Sequence, residues 1–344
     1  MYLTAVLGSM LGVMTAACRA PTEPVALTTE GRAPAVPVSA PVGQRLAALA
    51  HLAQGEWHVA IANGSQQRDV WTWGPGRHAL TSVTSNSEGT RQATFGSFRV
   101  IYHHPQRDEL AVLALSGTAL IQRGTLTPLE GLDLRFDMTL FYDQAQFAWA
   151  APHTRRISSV WTFDTPTRYV NHWIEDDGQP VAPATTAWAY ARHDDITHLP
   201  DSATEPPERV AHLRAIQPFL ERTWTTGATR TTFAWIPYSE AIVMRTLDAQ
   251  TQAPIAETFF YAHPHTKTIH TLTIHDTGAI DEGTASTDAA AVVIHAQRAD
   301  HDTTTLVEQR LEQVSADALR IQTWAIADSA RTLLTNTIHR AAPR

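Results

Sequence analysis

The feature that most constrains this chain is a repetition at fixed distance. Tyr102-His103-His104-Pro105 opens a stretch that reaches Gly124-Thr125, and Tyr261-Ala262-His263-Pro264 opens one that reaches Gly283-Thr284. Both have 18 residues between the Pro and the Gly, so an offset of 159 holds across a whole hairpin-sized segment. Self-similarity of this kind is the mark of duplication. Upstream, Val70-Trp71-Thr72-Trp73 matches Thr232-Phe233-Ala234-Trp235 at an offset of 162, with Trp57 matching Trp224. Downstream, Tyr169-Val170-Asn171-His172-Trp173 aligns with Arg320-Ile321-Gln322-Thr323-Trp324, and Tyr190-Ala191-Arg192-His193 with Thr337-Ile338-His339-Arg340. A duplicated shell fixes architecture, whereas chemistry resides in the side chains placed inside it.

Both halves read as strands, through period-two alternation and richness in Thr, Val, Ile and aromatics. Phe98, Val100 and Tyr102 share one face, as do Glu257, Phe259 and Tyr261. Leu113 and Leu115 return on the following strand, matched by Leu272 and Ile274. Pro105-Gln106-Arg107-Asp108 and Pro264-His265-Thr266-Lys267 supply the turns, since Pro presets the φ that a tight turn needs. In Glu208–Trp224, Val210, Leu213, Ile216 and Leu220 fall close to one stripe, the pattern of a helix that plugs a barrel mouth. Antiparallel strands with one short helix per half point to barrels or sandwiches, and a closed barrel of about eight strands has room for one small ligand.

The helix expected to end in Gly55-Glu56-Trp57, the strand from Trp73 to Leu80 and the Tyr-x-x-Pro hairpin resemble the bacterial lipocalin-like barrels of the calycin group. The resemblance covers most of residues 44–193 and 208–340, and the motifs are short. Relatives often carry Asp before the hairpin Pro, where this chain has His104 and His263. It implies a mainly β fold of two tandem lipocalin-like antiparallel β-barrels, each preceded by a short α-helix. For function it implies little, because the group includes carriers, haem binders and a few enzymes.

The expected plan is a signal peptide over 1–17, a Pro-rich linker over 18–43, barrels over 44–193 and 208–342, and a second linker over 194–207. The start is apolar and ends in Thr15-Ala16-Ala17 before Cys18, the only cysteine, as in a bacterial lipoprotein signal whose Cys is lipidated. No Lys or Arg precedes Cys18, so the usual positive flank is missing. Pro21, Pro24, Pro34, Pro37 and Pro41 make the following stretch an extended tether. These features predict an exported protein of the cell envelope or periplasm, joined to a membrane through a lipid anchor alone. With a net charge of -8 and no Lys/Arg cluster, the chain is not built for nucleic acid.

Seventeen histidines raise the question of metal. His263, His265, His270 and His275 with Asp276 form the densest group, yet His270 and His275 are an odd number apart and face opposite sides of one strand. No metal site is expected, and haem or a metal ion would be the cofactors to consider; His104 and His263 are read as turn residues whose side chains bond nearby backbone. Trp71, Trp73, Tyr102, Trp161, Trp235 and Tyr261 are the candidate wall of a ligand cavity, which such residues either line or fill. His78 and Glu240 occupy matched positions and, with Glu257, are the candidates for acid–base chemistry. A Gly-rich phosphate loop and a Gly-x-Ser-x-Gly elbow are both absent from the sequence. The expectation is a binding protein for a small apolar or amphipathic molecule. The alternatives are an acid–base enzyme of hydratase, isomerase or cyclase type, and a structural envelope protein.

Overall fold

The computed structural model describes residues 46–53, 55–60, 65–88, 91–116, 120–142, 154–180, 187–193, 212–220, 222–237, 239–288, 291–328 and 330–342. Cys18, the signal segment and both linkers lie outside them, as do the first residues of the expected second helix. The first half contains β1 (Glu56–Ala60), β2 (Ser65–Trp73), β3 (Ala79–Glu88), β4 (Arg91–His104), β5 (Glu109–Ser116), β6 (Ile121–Pro128), β7 (Leu134–Phe141), β8 (Thr154–Thr165), β9 (Arg168–Asp176), β10 (Gln179–Pro180) and β11 (Ala187–His193). Each strand from β1 to β9 pairs with the next antiparallel; β11 bridges β9 and β1, and the β8–β9 pairing closes a ring of ten, with β10 added on β9. Closure gives each of the ten ring strands a neighbour on both sides, leaving β10 as the one edge among the described residues.

The second half contains β12 (Thr223–Thr225), β13 (Thr229–Trp235), β14 (Ala241–Asp248), β15 (Pro254–Ala262), β16 (Ile269–His275), β17 (Ile280–Asp288), β18 (Ala291–Ala299), β19 (Thr304–Ser315), β20 (Ala318–Ala327) and β21 (Ala330–Ala341). These ten form a second closed barrel. The duplication holds at the level of strand register. Tyr102 sits opposite Ala79 and Ala111, and Tyr261 opposite Ala241 and His270. Asp108 and Lys267, at matched places in the two hairpin turns, both adopt positive φ, 49° and 56°. The downstream alignment needs correction. Tyr169 pairs with Tyr190 and Leu319 with His339, so Tyr169 corresponds to Leu319 and Tyr190 to His339, one and two residues from the sequence match.

Of the expected short α-helices, only Leu46 and Ala47 are α-helical among the described residues, and the rest of both plug segments runs in tighter turns. Leu49 and Leu52 donate backbone N–H bonds to Leu46 and Leu49, and Ile216 and Phe219 donate to Leu213 and Ile216, all three residues back. That is 3₁₀ geometry, in which i and i+3 eclipse. Leu46, Leu49 and Leu52, and likewise Leu213, Ile216 and Phe219, therefore form a single ridge with at most 2% of any residue exposed. Apolar spacing of three suits either helix type, and a segment of about two turns is too short for α-helical cooperativity to decide between them. Trp57 and Trp224 stand on the first strands, not on helices, and each indole N–H donates to the carbonyl five residues back, Leu52 at 3.0 Å and Phe219 at 3.1 Å. Each ridge plugs the barrel end at which its first strand begins.

The barrels pack side by side through equivalent strands. Ala79, Phe98, Val100, Tyr102, Leu113 and Leu115 from the first form one buried cluster with Ala241, Val243, Phe259, Tyr261, Leu272 and Ile274 from the second. The β4 and β15 residues of this cluster alternate with the inward-facing Ile101 and Phe260, so these strands are apolar on both faces.

Candidate functional site

Inward positions of the first barrel fall into two zones. Toward the plug the space is filled by rings: Trp161 stacks on Tyr169 with centroids 4.6 Å apart, and Tyr169 stacks on Tyr190 at 4.6 Å. Below this column, Trp71, Ser82 and Arg99 form one cross-strand row on β2, β3 and β4. The Arg99 guanidinium carbon lies 5.8, 5.7 and 5.4 Å from the rings of Trp71, Phe136 and Trp161, within cation–π range. Arg99 Nη1, Trp71 Nε1, Ser82 Oγ, Tyr169 Oη and Asn171 Oδ1 are buried with no hydrogen-bond partner among the described residues. Native interiors rarely leave such groups unpaired, and each costs about 1–3 kcal/mol when unsatisfied.

Asp69 completes this zone. Burial pushes its carboxyl above the usual range, against Arg99 and hydrogen bonds from Thr84 and Gln67. The Gln67 amide donates to Asp69 at 3.3 Å and to the Tyr190 hydroxyl at 2.8 Å, tying the acid to the base of the ring column.

The second barrel is divided in the same way with different residues. Phe233, Ile242, Phe260, Leu311 and Leu319 pack under its plug. Thr231, Thr258, Thr271, Thr273 and Thr323, all buried, occupy inward positions beyond them. At the far end Arg298 clamps Asp281 through two bonds of 2.7 and 2.8 Å, and His275 Nε2 lies 3.0 Å from the same carboxylate. Burial alone would raise the Asp281 pKa, but the bonds from Arg298 and His275 outweigh it and hold the carboxyl below its usual range. Asp281 is buried, with His275 and Arg298 partly exposed around it, and this hydrogen-bonded group was not singled out in the sequence, because only the register of the adjacent strands β16, β17 and β18 brings the three together. Its equivalents in the first barrel are Ser116, Gln122 and Leu140, as those of Asp69 and Arg99 in the second are Thr231 and Thr258.

Of the expected wall residues, Trp71 and Trp161 are in the first barrel's interior, with Trp73 partly buried against it, and Trp235 is partly buried against the second interior. Tyr102 and Tyr261 face the other barrel, not either interior. Alternation shows which residues share a face but not which face turns inward, and here both faces are apolar. Tyr102 donates to Glu282 at 2.6 Å, and the same carboxylate receives Arg123 at 2.9 Å. The three candidate acid–base residues are also away from inward barrel positions. His78 packs on the backbone at Gly278 of the second barrel, Glu240 lies in the β13–β14 turn, and Glu257 accepts from Arg245 at 2.8 Å. His104 and His263 serve as turn acceptors: the Arg107 N–H donates to one imidazole, and those of His265 and Thr266 to the other. His263 and His265 lie against Phe141 and His270 stacks on His263, while His275 faces the barrel interior. Among the described residues no group of three or more His, Cys, Asp or Glu is placed to hold a metal ion.

No protein-family model matches the sequence, and no curated protein matches it. Among solved structures, one similar chain is a protein of unknown function from the DUF3598 family of Nostoc punctiforme PCC 73102, at 11% identity and a TM-score of 0.18, covering 84% of this chain and 96% of that one. A score that low supports no argument about this protein.

Proposed function

We propose that this chain is an exported, lipid-anchored carrier whose lipocalin-like first barrel holds a small apolar or amphipathic molecule. The observation that carries this reading is the set of buried, unpartnered polar atoms beside an aromatic wall: Arg99, Trp71, Ser82, Tyr169 and Asn171. A pocket with apolar walls and a few convergent polar groups is the usual form of a small-molecule site. Native mass spectrometry and thermal-shift screening of the full chain against lipids, haem and hydrophobic metabolites test it. A ligand at 100 times its Kd raises stability by about 2.7 kcal/mol, a shift of a few degrees. If nothing co-purifies and no compound shifts the melting temperature, the carrier reading falls. The anchor is tested separately: Cys18→Ser should move the protein from the detergent-rich to the aqueous phase on partitioning.

A second reading rests on His275, hydrogen-bonded to Asp281 inside the second barrel. An imidazole positioned by a carboxylate is the arrangement of a general base. Turnover of a bound compound that disappears in His275→Gln without loss of fold would favour this enzyme reading.

A further inference from the structure

We propose, building on the carrier reading, that the first barrel selects molecules whose apolar body ends in a carboxylate, and that Arg99 holds that group. The surrounding rings grip Arg99 in a particular way. Trp71, Phe136 and Trp161 contact the guanidinium within 6 Å, and its buried Nη1 has no hydrogen-bond partner among the described residues. Cation–π contacts fix the position of the guanidinium while leaving its N–H donors unused, and a planar fork of donors matches a carboxylate bidentately.

The neighbouring polar atoms favour the same partner. Trp71 Nε1 can only donate, and Ser82 Oγ and Tyr169 Oη can each donate, so the zone offers mostly donors, with Asn171 Oδ1 as the opposing acceptor. An ionised carboxylate is acceptor-only and uses several such donors at once, whereas an amine or ammonium group would leave them unpaired. Asp69 lies within the field of the Arg99 charge, yet its hydrogen bonds come from Thr84 and Gln67. The second barrel lacks every part of the arrangement: Phe233, Met244 and Thr258 stand at the places of Trp71, Ser82 and Arg99, so the site belongs to one barrel only.

The test titrates the full-length protein with cis-parinaric acid, its methyl ester and the corresponding alcohol, reading energy transfer from tryptophan. The acid is expected to bind at least about tenfold more tightly than the ester, the margin one charge-assisted pair supplies. Arg99→Gln should erase that margin and leave ester affinity within about twofold, while Asp69→Asn, which removes an opposing carboxylate, should tighten the acid alone. Thr258→Val, at the equivalent place in the second barrel, should change none of the affinities. Equal binding of acid and ester by the unaltered protein overturns the carboxylate assignment and leaves the carrier reading intact. Equal weakening of acid and ester in a folded Arg99→Gln protein also overturns it, since Arg99 would then support the barrel only. Failure of all three probes, together with a blank thermal-shift screen, sinks both.

Discussion

At the scale of single residues, the pair Trp57 and Trp224 shows how each barrel fastens its plug. Each indole is fully buried and donates to the last carbonyl of the 3₁₀ ridge. Trp57→Phe keeps most of the ring and removes the donor, leaving the Leu52 carbonyl buried, and should cost about 1–3 kcal/mol by denaturant unfolding. Histidines set the acid limit. His263 is held at about pKa 4, first by burial and then by His270, His265 and Arg123, and burial holds His51 at about 4 as well. Because these folded values lie below the unfolded one, the unfolded chain takes up protons first as acid is added. Stability should therefore be full above about pH 6.5, the unfolded His value, and fall steadily toward pH 4. His263→Gln should reduce that slope in melting curves taken across the window, and an unchanged slope would contradict the assignment. Arg99 illustrates what the sequence conceals. It lies in the run Phe98-Arg99-Val100-Ile101-Tyr102, which is apolar on both faces, and a charge inside such a strand is the local signal of a buried site. The rings around it come from β2, β7 and β8, so their convergence is not visible along the chain.

At the scale of elements, Gly124 on β6 and Gly283 on β17 are the matched glycines of the duplication, and both face inward where adjacent strands crowd together. A Cβ on Gly124 would meet the Asp137 carbonyl and one on Gly283 the His295 carbonyl, backbone atoms that a side-chain rotation does not relieve. Gly124→Ala and Gly283→Ala should each cost about 1–3 kcal/mol or more through overpacking, measured by urea unfolding. Leu49→Ala, which empties the centre of the first plug, should cost about 2–5 kcal/mol. Hairpins and their offset were legible because turns use local chemistry: Pro105 and Pro264 set φ, and Asp108 and Lys267 close the turn in the left-handed region. The plug was legible as apolar but not as 3₁₀, since both helix types place i and i+3 on one side. Inward and outward faces were not legible for β4 and β15, where the same alternation buries one set of side chains in a barrel and the other between barrels.

At the scale of the whole molecule, the two barrels meet through matched strands, so each repeat offers the other the surface it receives. Phe98 and Phe259 pack with centroids 5.3 Å apart, and the β4–β5 turn reaches across through Gln106, which donates to the Asp300 carbonyl at 2.7 Å. A self-complementary face of this kind is the geometry of an isologous dimer, here closed within one chain. The polar hub breaks the symmetry. Glu282 accepts from Tyr102 and Arg123, and Arg123 is its own counterpart in the first repeat, 159 residues earlier. Burial would raise the Glu282 pKa, yet Arg123, Tyr102 and Arg107 together hold it below the usual carboxylate range. Glu282→Gln should leave Arg123 without a counter-charge in a largely apolar interface and cost about 2–4 kcal/mol, less than a fully buried pair because Glu282 retains some solvent contact. The consequence is readable by calorimetry. The unaltered chain should unfold in one transition, because the shared apolar cluster couples two barrels that each close on themselves. Phe259→Asp together with Glu282→Gln should split it into two, one per barrel, and a single undivided transition in that variant would mean that the barrels depend on each other for more than this interface.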